Sequence, residues 1–277
     1  MVIVQKCQGQ LGNKLLVSAH VMAYCLSRGE SLLSFTFHDE VTYFDLSAFR
    51  KYHIYVFRNC WVRPLVTMSI AITQKVTSLL LNYHLVERHQ VGWIHSEIRD
   101  IQPRQAPLFI LEGEGFRNTV DLRAQAPQIR QLFTPKQQYI HTIERILGSL
   151  NKDNTVLIGI HMRRGDYKQW QGGKYYYDNQ TYRHIIQQMR PLFAGQTIQF
   201  ILCSDEPINI HYFSDDDVYI STQATIVDLY LLARCNYLIG PPSTFSGWAA
   251  FYGNVPLWTL KTPDDRIDLA GFTKCVL

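Results

Sequence analysis

The sequence predicts an α/β protein built from two Rossmann-like domains. Three stretches carry that expectation. The apolar, β-branched run Val156-Leu157-Ile158-Gly159-Ile160 has the composition of a buried strand, and it ends in the polar cluster His161, Arg163, Arg164, Gly165 and Asp166. The chain opens on a second strand–turn–helix unit: Val2 to Cys7, the glycine turn Gly9-Gln10-Leu11-Gly12-Asn13, and an apolar-periodic stretch from Lys14 to Arg28 stopped at Gly29. The polar break Asn151-Lys152-Asp153-Asn154 lies ahead of the Val156 strand and divides the 277 residues into domains 1–152 and 153–277.

The other elements of the first half are less regular. Ser31 to Phe37 reads as a strand, and Lys51 to Phe57 as a third strand or an extended segment. Pro64 to Glu87 is mostly helical, and no clear period runs from Val91 to Pro107. Leu108 to Leu111 is a strand that ends in Glu112-Gly113-Glu114-Gly115-Phe116. Pro127 to Leu150 holds a turn and then a helix, with Thr134 and Pro135 as its N-cap and first position.

In the second half, Gln169 to Asp178 is a loop rich in Gly and Tyr, readable as a flap over a cleft or as plain surface. A helix follows from Asn179 to Arg190, stopped by Pro191, and then a strand from Thr197 to Cys203 that ends in Ser204-Asp205-Glu206-Pro207. Val218 to Ile220 is a short strand and Ala224 to Cys235 a helix with Ile226, Leu229, Tyr230, Leu232 and Ala233 on its buried side. Tyr237 to Ile239 is a strand broken by Gly240-Pro241-Pro242. Ser243-Thr244-Phe245-Ser246 opens a helix through Tyr252, and Val255 to Leu260 is the last strand.

Composition excludes several function classes. With 47% apolar and 18% charged residues the chain has the make-up of a soluble globular protein. A net charge of +4 without a long basic run argues against nucleic-acid binding. The six cysteines form no C-x-x-C pair, and several sit in apolar runs, so a reducing compartment is expected. The ten histidines form no HExxH, so no metal is expected. Met1 leads straight into a strand with no signal peptide in view. Pro64 to Val86 carries one charge, Lys75, but its Thr, Ser, Gln, Asn and His residues dilute it too far for a spanning helix. The expected location is therefore cytoplasmic, with at most a peripheral contact at the inner face of a membrane.

The chemistry concentrates at the ends of predicted strands. Alternation puts His161 and Arg163 on one face and Met162 on the other. Arg163 and Arg164 have no carboxylate between them, so an anion is their natural occupant, and phosphate suits the planar fork of Arg. The plainer reading makes them charges ending a strand. Gly9 and Gly12 allow backbone to approach a ligand near a helix start, but their spacing is not the dinucleotide fingerprint. The Ser243–Ser246 cluster is a helix cap or a phosphate site. Asp228, on an apolar helix, needs a partner. A guanine, whose N1 and N2 match two carboxylate oxygens, is one, while an ordinary acid at a helix start is the alternative. Glu112 and Glu114 read as solvated loop acids rather than catalytic carboxylates. Asp215-Asp216-Asp217 holds a D-x-D metal signature, but it lacks the preceding apolar strand and reads better as an acidic turn.

His161 to Tyr167, His-x-Arg-Arg-Gly-Asp-Tyr, resembles the hallmark of the family 11 α-1,2-fucosyltransferases. Gly9, Leu11, Gly12 and Asn13 are similar to that family's N-terminal Gly-x-Leu-Gly-Asn-Gln motif, with Lys14 in place of the Gln. Leu111 and Gly113 retain part of a further motif whose Tyr and Gln-Ser are absent, which leaves the acceptor open. Asp228 through Ala250 resembles a third motif ending Ser-Ser-Phe-Ser-Trp-Trp-Ala-Ala, with Thr244 and Gly247 as departures.

The resemblance implies a GT-B type fold, two Rossmann-like domains facing a central cleft, with the sugar nucleotide on the C-terminal half. It also implies an inverting transfer of L-fucose from GDP-fucose to a sugar hydroxyl of a glycan acceptor, foremost the 2-OH of a terminal galactose, without a metal. Arg163 would then meet the charge on the leaving β-phosphate, helped by the Thr244 and Phe245 amides. Asn13 would lie near the reacting end of the donor, and Asp166 is the nearest candidate base. His161 is assigned to ribose or base, Asp228 to guanine, and Arg164 to orientation or a structural ion pair. Gly12, Ser204, Asp205, Ser243 and Ser246 complete the expected substrate site. The alternatives are a GT-B enzyme with another nucleotide sugar or acceptor, and a sugar-nucleotide-binding module without turnover.

Overall fold

The computed structural model describes residues 1–6, 9–37, 40–57, 62–81, 86–91, 107–113, 115–150, 154–213 and 217–274. The chain forms two compact units, 1–136 and 137–277.

The first unit runs β1 (Val2–Lys6), α1 (Leu11–Arg28), β2 (Leu32–Ser34), α2 (Leu46–Arg50), β3 (Ile54–Val56), α3 (Val62–Leu81), β4 (Val86–Val91), β5 (Leu108–Gly113), α4 (Thr119–Ala124) and α5 (Ala126–Leu132). Its sheet has the order β3-β2-β1-β5-β4, and every pairing is parallel. Parallel strands buried on both faces need apolar runs, which β1 and β5 supply through Ile3, Phe109 and Ile110, all fully buried. α1 ends where Gly29 takes the left-handed conformation (φ 62°) and its N–H closes on the carbonyls of Cys25 and Leu26. Val66 and Ile70 of α3 pack on the Ile3–Ile110 cluster, while Leu65, Met68 and Ile72 stay exposed.

The second unit runs α6 (Gln137–Leu150), β6 (Thr155–Met162), α7 (Asn179–Met189), β7 (Thr197–Ser204), β8 (Val218–Ile220), α8 (Thr225–Leu232), β9 (Tyr237–Gly240), α9 (Thr244–Gly253), β10 (Pro256–Thr259) and β11 (Thr273–Lys274). Its sheet order is β11-β10-β9-β6-β7-β8, parallel except for β11. β6 is the central strand, in register with β7 over all eight of its residues. Ile158, Ile160 and Met162 join the core that α7 covers with Tyr182, Ile185, Ile186 and Met189. The architecture is thus α/β, two Rossmann-like units in succession.

Four features differ from the sequence expectation. The helix ending at Leu150 belongs to the second unit, where α6 packs on α8. The units therefore divide at 136/137 and not at the polar break at 152/153. The predicted helix Pro64–Glu87 stops at Leu81, and Val86–Val91 is β4. That strand reads Val-Glu-Arg-His-Gln-Val and, among the described residues, lies at the edge of the sheet, so no apolar period marks it. Around Pro127 the chain forms the short helix α5 where a turn was expected, and α4 precedes it over a stretch with no expected element; at 7 and 6 residues they are too brief to show a period. The stretch 92–106, Glu114, Asp215, Asp216 and three cysteines (Cys7, Cys60, Cys275) lie outside the described residues. Cys25, Cys203 and Cys235 are buried. Among the described residues, no helix is long and apolar enough to cross a membrane.

Candidate active site

The second sheet reverses direction at β6. The chain passes from β6 outward to β7 and β8, then returns to place β9 and β10 on the other side. In open α/β sheets the crevice outside the carboxyl ends of the strands at such a switch point is the ligand site. Here those ends deliver His161–Asp166 from β6 and Gly240–Ser246 from β9. The two segments touch. His161 Nδ1 and Ser246 Oγ are 2.7 Å apart, and the His161 ring packs against Phe245 at 4.8 Å between centroids. Tyr167 donates its hydroxyl proton to the Pro242 carbonyl. Gly240 makes this approach possible, because a Cβ there would stand 2.9 Å from Ser246 Oγ and 3.2 Å from His161 Cβ.

His161 is 4% exposed, and burial with the nearby Arg163 guanidinium lowers its pKa to about 3. It is a neutral imidazole at physiological pH and brings no positive charge to an anion. Met162 is fully buried behind it.

The adjacent arginines do not share an anion. The Arg163 guanidinium is held by two carboxylates: Nη2 lies 2.5 Å from Asp166 Oδ1 and Nη1 2.7 Å from Asp205 Oδ2. It also stands 5.5 Å from the centroid of the Tyr167 ring. Arg164 turns away into the protein. It is 7% exposed, donates to Asn179 Oδ1 at the start of α7, and lies 5.8 Å from the Tyr182 ring centroid. Its backbone N–H donates to Asp205 Oδ1 at 2.8 Å. Arg164 therefore anchors the loop, and Asp205 ties both arginines to the end of β7. Lys168 adds a further tie, reaching Glu206 Oε1 at 2.8 Å. Ser204 Oγ accepts from the Glu206 N–H at 3.2 Å and so shapes the same turn.

α9 starts with Ser243 as its N-cap, whose Oγ accepts the Phe245 N–H at 3.2 Å. The Phe245 amide expected at a phosphate is thus already bonded within the cap. Thr244 is the first helical residue.

Asp228 lies on α8 beside the ends of β7 and β8. It is 7% exposed, Ser221 Oγ donates to its Oδ1 at 2.5 Å, and burial raises its pKa to about 6. The Cys203 side chain bonds it as well. Cys203 is the register partner of His161, which sets the acid one strand away from the imidazole. At least one carboxylate oxygen is thus engaged inside the protein. Ser221, Cys203, Asn179 and Tyr167's hydroxyl are contributors that sequence reasoning assigned no role. None carries a motif: Ser221 lies seven residues before Asp228 and Asn179 fifteen after Arg164, spacings that match no known pattern.

Gly12 and Asn13 belong to the other unit, in the first turn of α1. That turn follows β1, which lies beside β5 where the first sheet changes direction. Gly9 has φ +94°, and a Cβ there would meet Asn13 Nδ2 at 2.5 Å, so the carboxamide folds back over the turn. Lys14 pairs with Glu40 at 2.5 Å. The acidic run contributes Asp217 to a structural pair, with Oδ1 accepting from Arg190 Nη2 at 2.8 Å. Among the described residues no three His, Cys, Asp or Glu side chains converge on one point.

The switch-point cation, the capped helix start and the buried acid can be compared with known proteins. No curated protein matches the chain. Among solved structures, it is similar to the NodZ α-1,6-fucosyltransferase of Bradyrhizobium soaked with GDP-fucose, at 15% identity over 98% of this chain and 96% of that one, TM-score 0.58. A mutant of Arabidopsis thaliana FUT1 in complex with GDP is 14% identical over 96% of this chain and 71% of that one, TM-score 0.61. POFUT1 in complex with GDP-fucose is 9% identical over 94% and 96%, TM-score 0.54. At these identities the likeness is one of fold. The family model described as glycosyl transferase family 11 matches residues 66–262, which takes in β6, the arginine loop, Asp228 and α9. With most of its length and the whole switch-point loop inside that match, the chain belongs to glycosyltransferase family 11.

Proposed function

We propose that the chain is an inverting fucosyltransferase that moves L-fucose from GDP-fucose to a sugar hydroxyl of a glycan, foremost the 2-OH of a terminal galactose. The observation that carries this reading is Arg163, a guanidinium just past the end of β6, whose near neighbour His161 packs on the start of α9, with a buried carboxylate one strand away from His161. Family membership and the GDP or GDP-fucose bound in similar folds support it. NodZ is an α-1,6 enzyme, so the 2-OH rests on the motif at His161–Tyr167.

In the proposed reaction the acceptor oxygen forms a bond to C1 of fucose while the bond from C1 to the β-phosphate oxygen breaks. The electron pair leaves with GDP, and Arg163 meets the charge that develops there. The Thr244 end of α9 adds its dipole. The acceptor proton passes to a base, for which Asp166 is the candidate. Asp228 receives the guanine, Ser221 turning its hydroxyl to share Oδ1, and neutral His161 packs beside the nucleoside. A cationic side chain and a helix start do the work of a divalent ion, so no metal is required.

Thermal unfolding in EDTA with GDP, UDP, ADP and CMP tests the donor. Ligand at 100 times its Kd should stabilise the fold by about 2.7 kcal/mol. A shift with GDP alone is expected, followed by transfer from GDP-fucose to β-galactosides. A shift with UDP, or with GDP only after metal is restored, overturns the assignment.

A further inference from the structure

Arg163 is held by two carboxylates that are built differently. Asp205 is fixed in place. Its side chain is 24% exposed, Oδ2 pairs with Arg163 Nη1, and Oδ1 accepts the Arg164 backbone N–H. It also lies so close over Gly165 that a Cβ there would meet Oδ2 at 2.8 Å. Asp166 is the contrast. Its side chain is 59% exposed, and it reaches Nη2 from the single helical turn Gly165–Lys168. Each terminal nitrogen of the guanidinium thus already carries a carboxylate. Each terminal nitrogen keeps one further N–H, but a phosphate meeting Arg163 there would stand beside both carboxylates. A third anion cannot simply be added, because like charges crowded on one cation repel.

We propose that Asp166 is a placeholder for phosphate. When the donor's diphosphate arrives, Asp166 leaves Nη2 and Asp205 stays on Nη1. The exchange is easier at Asp166 than at Asp205, since Asp166 is the more exposed of the two carboxylates on the largely buried Arg163 side chain. Its reverse promotes product release: after transfer, Asp166 returns to Nη2 and competes GDP away. Asp166 is then a residue that weakens nucleotide binding, the opposite of what its place in the arginine loop implies. This rests on the nucleotide-sugar reading above.

The experiment is a titration of the full chain and its Asp166→Asn, Asp166→Ala and Asp166→Glu variants with GDP and, separately, with inorganic pyrophosphate, by calorimetry at low ionic strength. Both neutral variants should bind both probes about two- to fivefold more tightly, the range set by one exposed ion pair. Asp166→Glu should return affinity toward the wild-type value, and added salt should narrow the gap. Unchanged or weaker binding by the folded neutral variants overturns the proposal. Pyrophosphate binding that tightens while GDP fails to bind the wild type upholds the exchange and overturns the guanine nucleotide. GDP binding without tightening does the reverse.

Discussion

Arg163 shows how far a residue's type predicts its surroundings. The adjacent guanidiniums were expected to share an anion, since the sequence places no carboxylate between them. The carboxylates instead come from Asp166, three residues on, and from Asp205 at the end of the neighbouring strand. If Arg163 meets the leaving-group charge, Arg163→Lys loses the planar fork and should lower kcat by about 10²–10³ with little change in melting temperature. Steady-state kinetics with GDP-fucose reads this, and a kcat within threefold of wild type excludes the role.

Asp228 makes a second prediction at the same scale. Burial raises its carboxyl from 3.8 to about 6. Between those pH values the native state holds a proton that the unfolded chain has released, so this group's contribution to stability falls as pH rises through the window. The full effect is about 3 kcal/mol. Wild type should therefore lose stability, relative to Asp228→Asn, as pH rises from about 4 to 6. GDP affinity should run the other way, weakening below about pH 6 in wild type and staying weak at every pH in Asp228→Asn. Nucleotide affinity indifferent to both pH and the variant would exclude a guanine contact.

At the level of elements, the helix starts and stops were largely legible, and the close approaches were not. Gly29, Ser243 and Asp178 stand at the helix ends where cap chemistry puts them. Gly253 carried no such signal, yet a Cβ there would come within 1.9 Å of the Ala233 carbonyl oxygen at the end of α8. Backbone cannot yield as a flexible side chain does, so Gly253→Ala should cost at least about 2 kcal/mol. Gly148, on the exposed face of α6, has nothing within 4 Å of the same added atom. There Gly148→Ala should add about 0.5–1 kcal/mol through helix propensity. Urea unfolding of the two variants checks the pair, and equal effects would mean the α8–α9 contact is looser than described.

For the whole molecule, the placement of α6 matters most. It buries Ile143, Ile146 and Leu147 within the second unit and packs on α8. A fragment beginning at residue 137 should unfold in one cooperative transition. One beginning at 153 leaves the α8 surface bare and should aggregate or melt without cooperativity. Calorimetry of both decides whether 136/137 is the working division.

The sequence by itself determined the local structure and the inventory of chemistry. Periodicity and β-branched runs fixed the central strands, because burial on both faces of a parallel sheet admits few polar residues. The motif at His161 fixed which side chains end β6. Only the tertiary structure decided their partners. Asp205 is 42 positions from Arg163, and Ser246 is 85 from His161. Those pairings depend on which strands lie side by side, and strand order is set by how layers bury their faces, a long-range property that no local pattern encodes.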